Sequence, residues 1–463
     1  MKLSLVLTVA TASSLLSACF TKPIAVDQQA HVPAQWQTQL SETAPQQDLT
    51  KFWQNQNDPL LLELLDSAHK LSPDLASARS RLEAARATWV ASSAVFLPQV
   101  TGEVSAARAR NQVATPIQNT RQAGLQVSWE LDLFGANRAV ANYAKVQLES
   151  AEAQWHGVKI AISAEVAQRY YELRACQRAS AVSEREAASW QTSLTIYEQS
   201  YKSGMLAATS FSQLSATAAD SARRAQQQTA ACGMQTQALM ALTGVPLKRL
   251  QQQFTEQSLY RELQAVAVSQ VPAQSLAQRP DVFAAEREVQ ASLAQLNAYE
   301  AQRLPRVSLT GYVAQNRSQT QAEVNSGTVF SIGPLQVTMP IFDGGQRKAN
   351  VEAQRARYDE ARLAYQGRLR TAVAEVEQAL LQLNSSDFNL KQLQINQQAS
   401  LLNLQSTEAR LRQGMASQLE LEEAKRNAGL QELESIQAGL ERNRAWLSLY
   451  RAVGGGWQPT PQN

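Results

Sequence analysis

Ser72-Pro73-Asp74-Leu75 opens a helical pattern that closes at Phe96-Leu97-Pro98-Gln99-Val100. The same phrase returns as Arg279-Pro280-Asp281-Val282, followed by Arg303-Leu304-Pro305-Arg306-Val307. Each copy runs 25 residues from proline to proline, and the copies stand 207 residues apart. Further on, Leu125-Gln126-Val127-Ser128 matches Leu335-Gln336-Val337-Thr338 and Gly135 matches Gly345, now 210 residues apart, so the second copy has gained three residues between its strands. The longer offset persists through Gly204-Met205 against Gly414-Met415, and through Leu242-Thr243-Gly244 against Ala452-Val453-Gly454. The chain is a tandem duplication of one unit of roughly 175 residues.

Each unit reads in the same order. Pro73 and Pro280 stand where the first helical turn tolerates proline, each followed by an Asp that suits the positive end of a helix. The pattern predicts helices to about Ala94 and Gln302, stopped by Pro98 and Pro305. Period-two stretches follow, Gln99 to Arg110 with Ala123 to Leu133, and Arg306 to Asn316 with Thr328 to Phe342. In the last of these Leu335, Val337, Met339 and Ile341 share one face while Gln336 and Thr338 take the other. Each stretch has about the length, 9 to 11 residues, of a tilted membrane strand. Proline is then absent between Pro116 and Pro246 and between Pro340 and Pro459, and the apolar spacing turns helical. Ala136 to Lys202 and Gln346 to Arg412 each predict a helix of 67 residues, about 100 Å long at 1.5 Å per residue. The return helices, Thr209 to Leu242 and Ser417 to Tyr450, are shorter. The helices that begin at Pro73 and Pro280 would complete the length by stacking end to end with them.

Composition narrows the function. Against 43 Lys plus Arg stand 40 Asp plus Glu, for a net +3, and 44% of the 463 residues are hydrophobic, which excludes both a disordered chain and a polybasic nucleic-acid binder. Three His and three Cys give metal or thiol chemistry little to work with. His31, His69 and His156 are scattered, with no HExxH, no CxxC and no phosphate-binding glycine loop, so no enzyme, metal site or nucleic-acid partner is expected. Gly344-Gly345 before Gln346-Arg347-Lys348 is better explained as a strand-to-helix corner.

Lys2 and the apolar run Leu3 to Leu16 form a signal segment, and Leu16-Ser17-Ala18-Cys19 looks like a bacterial lipobox. It predicts cleavage after residue 18 and a covalent lipid on Cys19; an ordinary signal peptide with an accidental cysteine is the alternative. Phe20, in place of an Asp, favours the outer membrane. After Cys19 no uncharged apolar run of about 18 residues occurs, so any membrane crossing must use strands. Four strands cannot close a barrel, since the smallest have about eight, and open edges cannot stand in lipid. Three copies would supply twelve.

The lipobox, the paired PD and LP phrases, the string WELDLFGANR at Trp129 to Arg138, its partner PIFDGGQRKA at Pro340 to Ala349 and the ending YRAVGGGW at Tyr450 to Trp457 together resemble the TolC/OprM family, most closely its lipoprotein branch. These are trimeric outer-membrane channels of tripartite efflux pumps. The resemblance covers nearly the whole chain. It implies a mainly α chain with transmembrane β: a TolC-like fold, tandem-duplicated, with a trimeric 12-stranded β-barrel in the outer membrane and a long α-helical barrel in the periplasm. The expected organisation is a signal peptide over 1–18, a lipid-anchored extended segment over 19–57, a first repeat over 58–250, an equatorial linker over 251–271, a second repeat over 272–457 and a tail over 458–463. The implied partners are two further copies, a periplasmic adaptor, an inner-membrane pump of the RND or a similar type, and outer-membrane lipid.

In the family the helix pairs turn at a glycine and narrow to a gate lined by acidic side chains. Here the turns fall at Gly204 and Gly414. Glu420 and Glu423 match the gate carboxylates by position, although Asp is commoner there; three residues apart, they share one helix face. Three-fold symmetry would make each a ring of negative charge favouring cations. Ser417 with Glu420 also reads as a capping box, and the two roles are compatible. The first repeat has Ser210 and Gln213 at these positions. The tyrosine and arginine latches of one branch are replaced here by Leu411 and Ala416.

Cys176 lies 28 residues before Gly204 and Cys232 lies 28 after it, so an antiparallel hairpin sets them level among small neighbours. A disulfide is expected in an oxidising periplasm, with two buried thiols as the alternative. For the whole chain, a lipid-anchored helical scaffold without a pore competes with the efflux conduit. The alternation from Leu335 to Ile341 favours the conduit. Drugs, detergents or other small organic molecules are its default cargo.

Overall fold

A computed structural model describes residues 36–38, 51–110, 116–250, 263, 276 and 279–458. The signal segment 1–18, Cys19, most of the N-terminal stretch, nearly all of the linker 251–271 and the tail beyond 458 lie outside the described residues. Among the described residues, no helix is long and apolar enough to cross a membrane.

Short helices α1 (Phe52–Asn55) and α2 (Pro59–Leu71) precede α3 (Pro73–Ser93). Asp58 caps α2, its carboxylate accepting from the Leu61 amide at 3.1 Å, with Pro59 at the position where a missing N–H is harmless. Strands β1 (Gln99–Ala109) and β2 (Gln118–Leu131) lead into α4 (Ala136–Lys202), and α5 (Ala208–Thr243) returns. The second repeat gives α6 (Pro280–Ala301), β3 (Arg306–Gln319), β4 (Val324–Thr338), α7 (Gln346–Arg412) and α8 (Gln418–Ala452). Both 67-residue helices have the bounds their flanking glycines and prolines predict. The strands do not: β2 and β4 begin five and four residues earlier than the alternation suggests. β4 also ends at Thr338, so Met339 and Ile341 lie beyond it, because Pro340 has no N–H to give a ladder.

The strands form one antiparallel sheet in the order β1-β2-β3-β4. An aspartate makes each strand-to-helix corner. Asp132 accepts from the amides of Asn137 and Arg138 at 3.1 and 2.8 Å, and Asp343 from those of Gly345 and Arg347 at 3.0 and 3.2 Å. Each carboxylate thus satisfies amides that the first turn of a long helix leaves without partners.

Contacts divide the chain into two units, and the repeats are not those units: each repeat contributes to both. The first holds Ser80–Glu152 and Ala284–Gly367, including the whole sheet. Its helical part is centred on Val289, Leu293 and Leu296 of α6 against Val351 and Tyr358 of α7. Arg287 reaches Glu149 of α4 at 3.0 Å and Arg355 reaches Glu300 at 3.3 Å. The second unit contains the hairpins and, among the described residues before them, 36–38 and 51–79. There Phe52 stacks on Tyr450 at 4.6 Å between ring centres, and Trp53 Nε1 donates to the Tyr450 hydroxyl at 3.0 Å. Burial pushes the Tyr450 phenol up to about 12.

Arg279, which precedes Pro280, is the charged centre of the second unit. Its side chain is 6% exposed and bonds Asp281 at 2.8 Å, Glu375 at 2.6 Å and the Ala452 carbonyl at 2.9 Å. Burial pushes the Asp281 carboxyl up, but the Arg279 hydrogen bonds and charge outweigh it and hold the group below its ordinary value. Asp281 and Glu375 still reach solvent. Water screens them, so Arg279→Met is expected to cost about 1–3 kcal/mol, less than breaking a fully buried pair. Because a depressed carboxylate stabilises above its unfolded pKa and loses that effect in acid, the difference from wild type should shrink below about pH 4. Thermal unfolding of the detergent-solubilised protein, followed by circular dichroism across pH, checks both expectations.

Candidate channel wall and hairpin tips

The strand register sorts the sheet into two chemically distinct faces. Leu131, Val307 and Val337 form one row, and Trp129, Leu309 and Leu335 the next. Val100, Val127, Gly311 and Ile332 follow, then Gly102, Leu125, Val313 and Phe330. All of these lie on one face. The opposite face carries Thr101, Glu103 and Ser105 of β1, Gln122, Gln126 and Ser128 of β2, Thr310 and Asn316 of β3, and Gln336 of β4. Within one chain the apolar face is uncovered, with Ile332 89% and Phe330 76% exposed. Trp129 lies near the helix end of that face and donates its Nε1–H to the Phe96 carbonyl at 3.0 Å. An apolar belt with an aromatic at its margin and a polar reverse side is the pattern of a barrel wall between lipid and water.

Keeping β4 in this pattern takes an irregularity the alternation does not reveal. Ile332 and Leu335 are three residues apart, which in a regular strand puts them on opposite faces. The register shifts between Leu309 and Gly311, so that Gly333 and Pro334 are absorbed as a bulge and both side chains stay on the apolar side.

The two hairpins turn where the glycines predict. At the first tip Gly204 takes φ +74°, its amide donating to the Tyr201 carbonyl while the Met205 amide reaches the Ser200 carbonyl at 2.9 Å. Gly414 has the same φ, and Gly414 and Met415 bond Leu411 and Arg410 in the same way. This is the double bond pattern of a Schellman ending, which needs a left-handed residue and so favours glycine. Met205 and Met415 are left exposed at the two tips.

The second tip holds the charges. Ser417 Oγ accepts from the Glu420 amide at 3.2 Å and the Glu420 carboxylate reaches back to the Ser417 amide, a complete capping box. The other Glu420 oxygen accepts from Arg410 at 2.9 Å across the turn. Glu423 is exposed one turn further along, without an ion pair among the described residues. Glu422, between them, points inward at 2% exposure and is met by Lys425 at 2.9 Å and Gln418 at 2.8 Å. Burial pushes Glu422 up, but these donors hold it below its ordinary value. At the first tip, Tyr201 stacks on Phe211 at 4.9 Å.

Some residues that organise the tips carry no sequence signal. Arg410 lies ten residues from Glu420 across a turn, outside the i, i+3 and i, i+4 spacing of one helix. Arg426 of α8 lies over the Trp190 ring at 4.0 Å and donates to Ser189 and Ser193 of α4 at 3.1 and 3.0 Å. Arg185 and Glu432 join the same two helices at 2.5 Å. Only the three-dimensional pairing of α4 with α8 exposes these links.

Cys176 and Cys232 are joined by a disulfide between α4 and α5, their Cα atoms 5.6 Å apart. The bond closes a separation of 56 residues, and the chain-entropy model gives it about 4 kcal/mol. Cys176→Ser with Cys232→Ser should therefore lower the unfolding midpoint clearly, and wild type in reductant should follow it. Thermal scans with and without dithiothreitol test this; equal midpoints would show that the bond does not constrain the unfolded chain.

A family model described as "Outer membrane efflux protein" matches residues 64–245 and 271–455. The outer membrane protein OprJ of Pseudomonas aeruginosa is 29% identical over 409 residues, covering 86% of this chain and 85% of OprJ. The toluene efflux pump outer membrane protein TtgI of Pseudomonas putida is 27% identical and covers 96% of both chains. Among solved structures, the outer-membrane channel OprN superposes with a TM-score of 0.79 at 26% identity, over 95% of this chain and all of that one. The fold is thus TolC-like, and the apolar sheet face is the lipid-facing wall of an outer-membrane channel. The chain belongs to the outer membrane efflux protein family.

Proposed function

We propose that three copies of this chain close into one twelve-stranded pore and form the passive outer-membrane conduit of a tripartite efflux pump. The observation that carries the reading is the sheet itself: its lipid face is apolar, its reverse is polar, and both edges, β1 and β4, lack a partner strand among the described residues. Unpaired backbone is not stable in hydrocarbon, so the edges must meet other copies. The duplication supplies the joint. The β2·β3 pair already links the end of one repeat to the start of the next, and the closing β4·β1 pair is its equivalent between chains. Carrying Val127 opposite Gly311 over by the repeat offsets places Val337 of one copy opposite Val104 of the next. Both are apolar-face residues, so this register keeps the lipid belt continuous.

The remaining parts of the reading rest on the resemblance. Cys19 would carry the lipid that anchors the N-terminus. A periplasmic adaptor and an inner-membrane pump would dock below, and small organic molecules would pass. Glu420 and Glu423 would form the acidic constriction. Because Arg410 already pairs with Glu420, Glu423 is the carboxylate whose charge is free to act on ions.

Two measurements test the proposal. Val104→Cys with Val337→Cys, oxidised in membranes, should yield covalent dimers and trimers, since directly opposed Cβ atoms lie about 5 Å apart; only monomer under denaturing electrophoresis overturns this register. In planar bilayers the purified protein should conduct with cation preference. Glu423→Gln should reduce that preference more than Glu420→Gln, which preserves the capping geometry. No conductance in wild type or in the double variant would sink the conduit.

A further inference from the structure

The lipid face ends abruptly in positive charge. Arg121 on β2 stands directly opposite Arg317 on β3, two rows beyond Leu125 and Val313. The register also places Arg108 on the same face: Ala106 pairs with Arg121, and Arg108 lies two residues further along β1. All three side chains are exposed, and none has a carboxylate in ion-pair range among the described residues. Like charges directly opposite on neighbouring strands destabilise a sheet. A sequence needing only a polar rim would be served by Gln, Ser or Thr, which fill the other rim positions Gln315, Ser326 and Thr328.

Their height decides what they meet. From the Leu131 row to the Arg121 row is ten residues, roughly 33 Å along a strand, which a tilt near 45° reduces to about 24 Å, the depth of a barrel's apolar belt. The Leu131 end joins the helices, which extend into the periplasm, so Arg121 and Arg317 stand at the outer boundary of the hydrocarbon, where Arg is tolerated on the lipid side. The polar side chains beside them, Thr328 donating to Gln315 at 2.8 Å, suit a sugar hydroxyl or amide.

We infer that Arg108, Arg121 and Arg317 form a binding site for the phosphate of a phosphorylated glycolipid in the outer leaflet. A phosphate between Arg121 and Arg317 accepts from both guanidinium groups in paired geometry and turns the cross-strand repulsion into attraction. Its acyl chains lie against Val104, Leu125, Val313 and Phe330. A trimer carries three such sites. The inference rests on the membrane-embedded barrel, and trimer mass and bilayer conductance of the same preparations separate its failure from a failure of that reading.

The test uses the full-length channel in detergent and measures the rise in unfolding temperature with bis-phosphorylated lipid A, lipid A stripped of phosphate, and inorganic phosphate. Wild type should respond to the phosphorylated lipid alone. Arg121→Ser with Arg317→Ser should need roughly tenfold more lipid for the same shift, while remaining trimeric and conducting; Arg121→Lys with Arg317→Lys should fall between. An equal response to both lipids, or to inorganic phosphate, overturns the inference, as does a variant indistinguishable from wild type. The comparison of lipids on wild type stands even where a variant does not fold.

Discussion

A strand in hydrocarbon cannot leave its backbone N–H and C=O groups unpaired. That constraint governs this chain because, among the described residues, four strands in sequence order leave two edges open. The strand pairs meet it from inside, and the proposed contacts with other copies would meet it at the edges. The corners follow from the same need. Each strand pair delivers the chain to a 67-residue helix whose first amides have no partners of their own, and Asp132 and Asp343 accept from them. The barrel wall thus passes into a helical stave through a short corner, residues 132–135 in the first repeat and 339–345 in the second, that the aspartate organises.

The repeats share this geometry but hold their hairpins by different forces. Cys176 and Cys232 staple the first hairpin covalently. At the equivalent positions, 210 residues on, the second has Ser386 and Arg442, and Arg442 pairs with Asp387 and the Leu263 carbonyl. The tips diverge in the same direction: stacked Tyr201 and Phe211 close the first, whereas Arg410 and Glu420 close the second. A disulfide is indifferent to salt and to pH in the physiological range, while an ion pair responds to both. The contact that closes the second tip therefore responds to its ionic surroundings, while the aromatic stack at the first tip does not.

Much of this was legible in the sequence, for identifiable reasons. The bounds of the two 67-residue helices are readable to the residue because Gly204 and Gly414 take the left-handed turn beyond them and no proline falls inside either helix, whereas the return helices extend one or two residues past the ends the pattern suggests. Strand bounds are less so, since β2 and β4 extend through Gln118 to Gln122 and Val324 to Gly327, mostly polar stretches without apolar alternation that the backbone ladder still pairs. The bulge at Gly333 and Pro334 was hidden because alternation on either side is regular. At the candidate site, the Ser417 and Glu420 box was visible in a four-residue spacing, whereas Arg410, Arg426 and the buried turn of Glu422 depend on which helices become neighbours. Arg121 and Arg317 show the limit most clearly: 196 residues apart in sequence, they are meaningful only as register partners.

That register also sets the charge carried by each face of the sheet. On the lipid face the charged residues among the strands are Arg108, Arg121 and Arg317, all basic; the polar face carries Glu103, Glu130 and Arg306, a small acidic excess. A slip of one residue between β2 and its neighbours would exchange the faces, drive Leu125 and Val127 into water and bring Arg121 into the lumen. The apolar belt forbids the slip energetically. By forbidding it, the same belt keeps Arg108, Arg121 and Arg317 off the polar face, where Glu103, Glu130 and Arg306 stand. The apolar belt and the charge of its reverse face are thus not separate adaptations of this wall: one alternating pattern, held in one register, determines both.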